Sequence, residues 1–220
     1  MAGYFDKSLF DFLKELADHN DRAWFAANKD RYERDVRDPF LEFIADAGTP
    51  LRKLSKNLVA DPKPSGGSMF RIYRDTRFSK DKSPYKTNIA AHFRLGKKDS
   101  SGPGYYLHIE PGQSMIGGGI WQPEPELLSS IRHRIIEKPA DWKKVKAKVS
   151  EHGDSLKRPP AGFDPAHPLI DDIKRKNFTG GASLSDKQVL SSDFMNTFIK
   201  SCKDIEPLMK FLAGATGTPW

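Results

Sequence analysis

Tyr105-Tyr106-Leu107-His108-Ile109-Glu110-Pro111-Gly112-Gln113-Ser114-Met115-Ile116-Gly117-Gly118-Gly119-Ile120-Trp121 reads as two short strands, Tyr105 to Glu110 and Ser114 to Trp121, separated by Pro, Gly and Ser. Upstream, Met69 to Tyr73 and Asn88 to Leu95 have the same aromatic and β-branched character. Four such segments in succession predict an antiparallel sheet in the middle of the chain.

Helical periodicity flanks that sheet. Leu9, Phe12, Leu13 and Leu16 share one face of a short helix, and Asn20 is placed to cap a second that carries Trp24, Asn28, Tyr32 and Val36. Pro39 is expected to break or bend this second helix, and a further helical stretch from Phe40 to Leu58 is expected to be interrupted at Gly48-Thr49-Pro50. Beyond the sheet, helices are expected over Pro123 to Glu137 and Ala140 to Glu151. A Pro-rich loop, a short strand near Ile173 to Phe178, and a final helix from Ser192 that Pro207 kinks or splits complete the chain. Helices, then strands, then helices predict an α+β fold in a single domain over residues 1–220, not the βαβ alternation of a parallel sheet.

Composition narrows the class. The 220 residues include 14 Phe and 4 Trp with 37% apolar content, which is enough to build a core. Cys202 is the only cysteine, so one chain can form neither a disulfide framework nor a cysteine-based zinc site. Met1-Ala2-Gly3-Tyr4-Phe5-Asp6-Lys7 lacks the apolar run of a signal peptide, and no stretch has the length of a membrane span. The expectation is a soluble cytoplasmic protein with no membrane partner.

Charge is concentrated rather than spread. Between Phe70 and Arg94 there are seven Lys or Arg against two acidic residues, which is five of the chain's +7. Arg71, Arg74 and Arg77 offer guanidinium forks, Lys80, Lys82 and Lys86 add point charges, and Tyr85 offers a stacking face. These seven residues are the candidate ligand-binding set. Asp75 and Asp81 lie among them, and pairing with neighbouring arginines would turn part of the cluster into a self-satisfied network.

Strand alternation yields a second constellation. Ala90, His92 and Arg94 fall on one face of their strand, and Tyr106, His108 and Glu110 on one face of theirs. If the strands pair in register, His92, His108 and Glu110 become candidate acid–base residues beside the basic segment. The other histidines are scattered, so no metal ligand is assigned and no cofactor is named. Gly117-Gly118-Gly119 suits a bulge or tight sheet corner, or a ligand's close approach to the backbone, and lacks the Gly-Lys-Ser/Thr of a phosphate loop.

The run from Phe70 to Asn88 closely resembles the signature of the domain-of-unknown-function 2461 family of bacterial and fungal proteins. Asn20 to Phe25 with Asn28 and Tyr32, Gly104 to Pro111, Gly117 to Trp121, and Leu156 to Pro160 with His167-Pro168 are similar to the same pattern. The resemblance implies no reaction, cofactor or catalytic residue. The residues themselves support an anion-binding protein whose partner is a phosphorylated small molecule or nucleic acid. The alternatives are an enzyme acting on a phosphorylated or carboxylated small molecule, and a module that docks an acidic protein.

Overall fold

A computed structural model describes residues 3–96, 102–149 and 151–220, with the side chains of residues 151 and 152 outside the description. The chain opens with α1 (Lys7–Asp18), α2 (Arg22–Ala27) and α3 (Lys29–Tyr32), passes through a π-helical turn (Glu33–Arg37) and enters α4 (Asp38–Leu54). Strands β1 (Ile89–Arg94), β2 (Gly104–Ile109) and β3 (Met115–Ile120) follow, then α5 (Pro125–Glu137), α6 (Pro139–Lys146), β4 (Glu151–His152), α7 (Ile170–Ile173), β5 (Phe178–Ser183), α8 (Asp186–Val189) and α9 (Phe194–Thr216). The fold is α+β.

The sheet is antiparallel throughout, in the order β1-β2-β3-β5-β4. Its inner face carries Ala91, Phe93, Tyr105, Leu107, Ile109 and Ile116, which pack into one core with Phe12, Phe43 and Phe198 from the helices. A second core gathers Ile120 and Phe178 with Ile131, Ile135, Trp142 and Leu212. Helix α9 serves both, giving Phe198, Cys202, Ile205 and Met209 to the first and Leu208, Phe211 and Leu212 to the second.

Gly118 sets how closely α9 approaches. A Cβ there would stand 2.9 Å from Ile205 Cγ2, 3.0 Å from Tyr105 Cδ1 and 3.2 Å from Met209 Sδ. Beside it the buried Tyr105 hydroxyl donates to the Cys202 carbonyl at 2.9 Å, which satisfies the phenol inside the core. Neighbouring Gly119 has φ 130°, and a Cβ there would meet Phe178 O at 2.0 Å.

Several local expectations give way to tertiary context. Asp21, not Asn20, caps α2, accepting from the Ala23 and Trp24 amides at 2.8 and 2.9 Å. Asn20 is used instead to bridge to Tyr85, donating to its carbonyl and accepting from its amide, both at 3.0 Å. Pro39 lies in the first turn of α4, directly after the π-helical turn, and α4 continues through Pro50. Helix α9 likewise runs unbroken through Pro207; the residue four before it, Lys203, is exposed, so water can serve its carbonyl. Met69 to Tyr73 forms isolated bridges (Met69 with Ala91, Tyr73 with Tyr85) rather than a strand, α6 stops at Lys146, and the late strand is Phe178–Ser183.

Gly118→Ala is expected to destabilise the fold by about 1–3 kcal/mol, because the methyl overpacks the α9 contact. Urea unfolding with an unchanged m-value measures this; a midpoint equal to wild type would show that the contact has slack.

Candidate functional site

The basic segment is largely paired with itself. Arg77 grips Asp75 through Nε and Nη2 at 2.9 and 2.7 Å, and Arg74 pairs with Asp81 while donating to the Ser83 carbonyl at 3.2 Å. Hydrogen bonds from the Ser83 hydroxyl and amide, then the one from Arg74, hold the Asp81 carboxyl well below the usual carboxylate range. Lys82 donates to the Thr76 carbonyl at 2.9 Å, which ties the loop tip together, while Arg71 and Lys80 are exposed. Tyr85 points inward, 5% exposed and stacked on Phe25 at 4.2 Å, so its ring has no face for a ligand. The aromatic ring presented at the tip is Phe78, 96% exposed beside the Arg77 guanidinium.

Lys86 differs from the other lysines. Its ammonium donates to the Arg71 carbonyl at 2.9 Å and lies 5.4 Å from the Phe70 ring centroid. Burial, and then the nearby Arg71 charge, push its pKa down. Lys86 lines a cavity of about 360 Å³ with Phe70, Arg74, Asp75, Asn88, Tyr106 and His108, in which the Asp75 carboxylate is taken up by Arg77.

The register brings the two strand faces together. Ala90 opposes His108, His92 opposes Tyr106, and Arg94 opposes Gly104. His108 is held on both sides: Nε2 contacts Glu110 Oε2 at 3.0 Å, and Nδ1 lies 3.1 Å from the Tyr106 hydroxyl and 3.3 Å from Asn88 Nδ2. Thr87 donates to the other Glu110 oxygen at 2.8 Å. A carboxylate can only accept, so Nε2 carries the hydrogen toward Glu110; the Asn88 amide nitrogen can only donate, so Nδ1 is the acceptor that it and the Tyr106 hydroxyl share. Burial, and then the Glu110 charge, raise the Tyr106 pKa.

His92 stands apart from His108. Its Nε2 occupies the space a side chain at 104 would need, only 2.0 Å from where a Gly104 Cβ would be. Burial, and then the Arg94 charge, lower its pKa, so it faces its cavity as neutral imidazole near pH 7.

That cavity, about 920 Å³, lies on the open face of the sheet. Gly117 and Gly180 line its floor, and the register row that runs from Tyr106 through Gly117 to Gly181 carries no side chain beyond Tyr106. A Cβ on Gly117 would make only ordinary contacts, the nearest 3.4 Å away at Met115 Cε. Phe70, Trp121 and Met115 wall it, all notably exposed for apolar side chains, and Glu124 sits at the Trp121 end. Phe70 and Tyr106, 6.0 Å apart and edge-to-face, line both this cavity and the basic one.

Sequence reasoning places Tyr106 on the correct face but does not single it out. Phe70, Trp121 and Asn88 carry no local signal, because tertiary folding alone brings them to one cleft. Asn28 bonds within its own helical region, to the Trp24 carbonyl and Arg31, rather than to the basic segment.

The lowered His92 pKa makes a testable statement about stability. The unfolded state binds the proton more tightly, so the His92 contribution is complete above the unfolded value of about 6.5, begins to be lost as pH falls below it and is gone once pH has fallen through the lowered folded value. Urea midpoints taken from about pH 7.5 to about pH 5 should fall less steeply in His92→Gln than in wild type. Parallel slopes would mean that His92 is as easily protonated folded as unfolded.

No helix among the described residues is long and apolar enough to cross a membrane. No curated protein and no solved structure matches the chain. A family model described as a conserved hypothetical protein matches residues 8–211, in agreement with the sequence patterns that run from the basic segment into the glycine-rich strand, and the chain therefore belongs to the DUF2461 family.

Proposed function

We propose that this chain binds an amphipathic organic anion, with a flat apolar body over Gly117 and Gly180 and a carboxylate or phosphate at Lys86. The observation that carries the reading is the stretch of sheet face without side chains, walled by Phe70 and Trp121 and adjoining a cationic cavity across Phe70 and Tyr106. Its volume of about 920 Å³ is within the range of small-molecule sites.

Charge sets the orientation. Glu124 disfavours an anion at the Trp121 end, whereas Lys86 favours one at the other. A lysine whose charge is opposed by burial and by Arg71 gains more from an arriving anion than a solvated lysine does. The arginines already held by Asp75 and Asp81 serve mainly to shape the loop.

A second reading rests on Phe78. An almost fully exposed ring beside Arg77, with Lys80 exposed nearby, suits stacking against single-stranded nucleic acid. It predicts binding that weakens steeply with salt and is lost in Phe78→Ala.

Phenylpropionate and phenyl phosphate test the leading reading in a thermal-shift titration. Saturation to about 100 times the dissociation constant should stabilise wild type by about 2.7 kcal/mol. Gly117→Val should remain folded yet lose the shift for both compounds, and Lys86→Ala should weaken both. An undiminished shift in Gly117→Val, or no shift in wild type, contradicts the groove reading.

A further inference from the structure

The geometry points to Tyr106 as a catalytic acid–base residue that moves a proton between a bound carbonyl compound and His108, with Glu110 holding the imidazole. This rests on the groove reading above, because it requires the substrate to lie against Tyr106.

Both ring nitrogens of His108 are engaged, Nε2 by Glu110 and Nδ1 by Tyr106 and Asn88. A proton leaving a ligand therefore reaches His108 through the Tyr106 hydroxyl. Tyr106 lines both cavities, so a ligand that spans them lies against its side chain, whose hydroxyl is 3.1 Å from His108 Nδ1. Glu110 is fixed in turn by Thr87 and orients the imidazole, the arrangement that lets Nδ1 accept a proton while the carboxylate balances the charge. His108 and Glu110 are then positioning and relay residues, and Tyr106 is the group in contact with substrate.

The surrounding charges select the reaction class. Lys86 and Asn88 line the same cavity, where the two acids nearby, Asp75 and Asp81, are already held by Arg77 and Arg74, so the ammonium and the amide favour negative charge developing on a ligand oxygen. Removing a proton from the carbon next to a carbonyl produces that charge. The C–H bond breaks, its electron pair forms the enolate C=C bond, and the carbonyl oxygen takes the negative charge. The proton joins the Tyr106 oxygen as the phenolic proton passes to His108 Nδ1, giving imidazolium beside Glu110. Reversal returns a proton to carbon, and no oxidant, reductant or other reactant is consumed. The substrate class is a carbonyl compound with an apolar body and a carboxylate or phosphate.

Deuterium exchange with solvent tests this directly. Benzylpyruvate and phenacyl phosphate are incubated with the full chain in D₂O, and proton NMR follows both binding and loss of the C–H signal next to the carbonyl. The two compounds distinguish a carboxylate from a phosphate anchor. Wild type should accelerate exchange of a bound compound, and Tyr106→Phe, which keeps the ring and its Phe70 contact, should bind it comparably and exchange it at least about 100-fold more slowly. Glu110→Gln should also retain binding with slower exchange. Should either variant lose its fold, the wild-type comparison of bound against free compound still decides. Binding without accelerated exchange, or equal exchange in Tyr106→Phe, overturns the relay alone. Binding of neither compound overturns the groove reading and the relay with it.

Discussion

The close seating of α9 on β3 governs the rest of the architecture. It depends on Gly118, which has no side chain where Ile205, Tyr105 and Met209 converge, and on the Tyr105 hydroxyl, which finds its acceptor on the helix itself. With one face of the sheet committed to α9 and the N-terminal helices, the opposite face is left to build something else. Alternation then separates the roles of neighbouring residues: Tyr105 and Gly118 form core, while Tyr106 and Gly117 form the cleft. A register slip of one residue would bury Tyr106 and His108 and expose Tyr105 and Leu107, so the same hydrophobic constraint fixes both core and site.

Charge is distributed by a similar division. The segment from Arg71 to Lys86 appears in the sequence as a single basic block, yet it contains two kinds of cation. Arg74 and Arg77 are matched by Asp81 and Asp75 at the surface, where such pairs organise a loop and contribute little to stability. Lys86 is drawn inward to the edge of the cleft, with a carbonyl and an aromatic face as its neighbours. The Asn20 side chain secures this geometry by clamping both backbone groups of Tyr85, one residue before Lys86. Formal charge is therefore a poor guide to which cations in this segment are unmatched, and burial and pairing are better ones.

Much of the fold was legible because its signals are local and periodic. The α1 stripe of Leu9, Phe12, Leu13 and Leu16 and the alternation in β1 and β2 follow from helical and strand geometry alone. What escaped depends on partners distant in sequence. Strand β5, Phe-Thr-Gly-Gly-Ala-Ser, has neither β-branched density nor alternation, and it is a strand because β3 offers it a full edge to pair with. Asn20 and Asp21 are equally good caps by type, and the Tyr85 backbone decides between them. Of the site, the shared face of His92, Tyr106 and His108 could be anticipated. The separation of the two histidines, the inward turn of Tyr85 and the meeting of Phe70 with Tyr106 could not.

The central claim is that function resides on the open face of the sheet. Soaking crystals of the protein with a library of small aryl carboxylates and aryl phosphates tests it most directly. Bound fragments are expected to cluster over Gly117 and Gly180 between Phe70 and Trp121, with their anionic groups toward Lys86. Fragments that gather instead along the exposed Arg71 to Lys82 loop, or that leave the cleft empty while binding elsewhere, would contradict it.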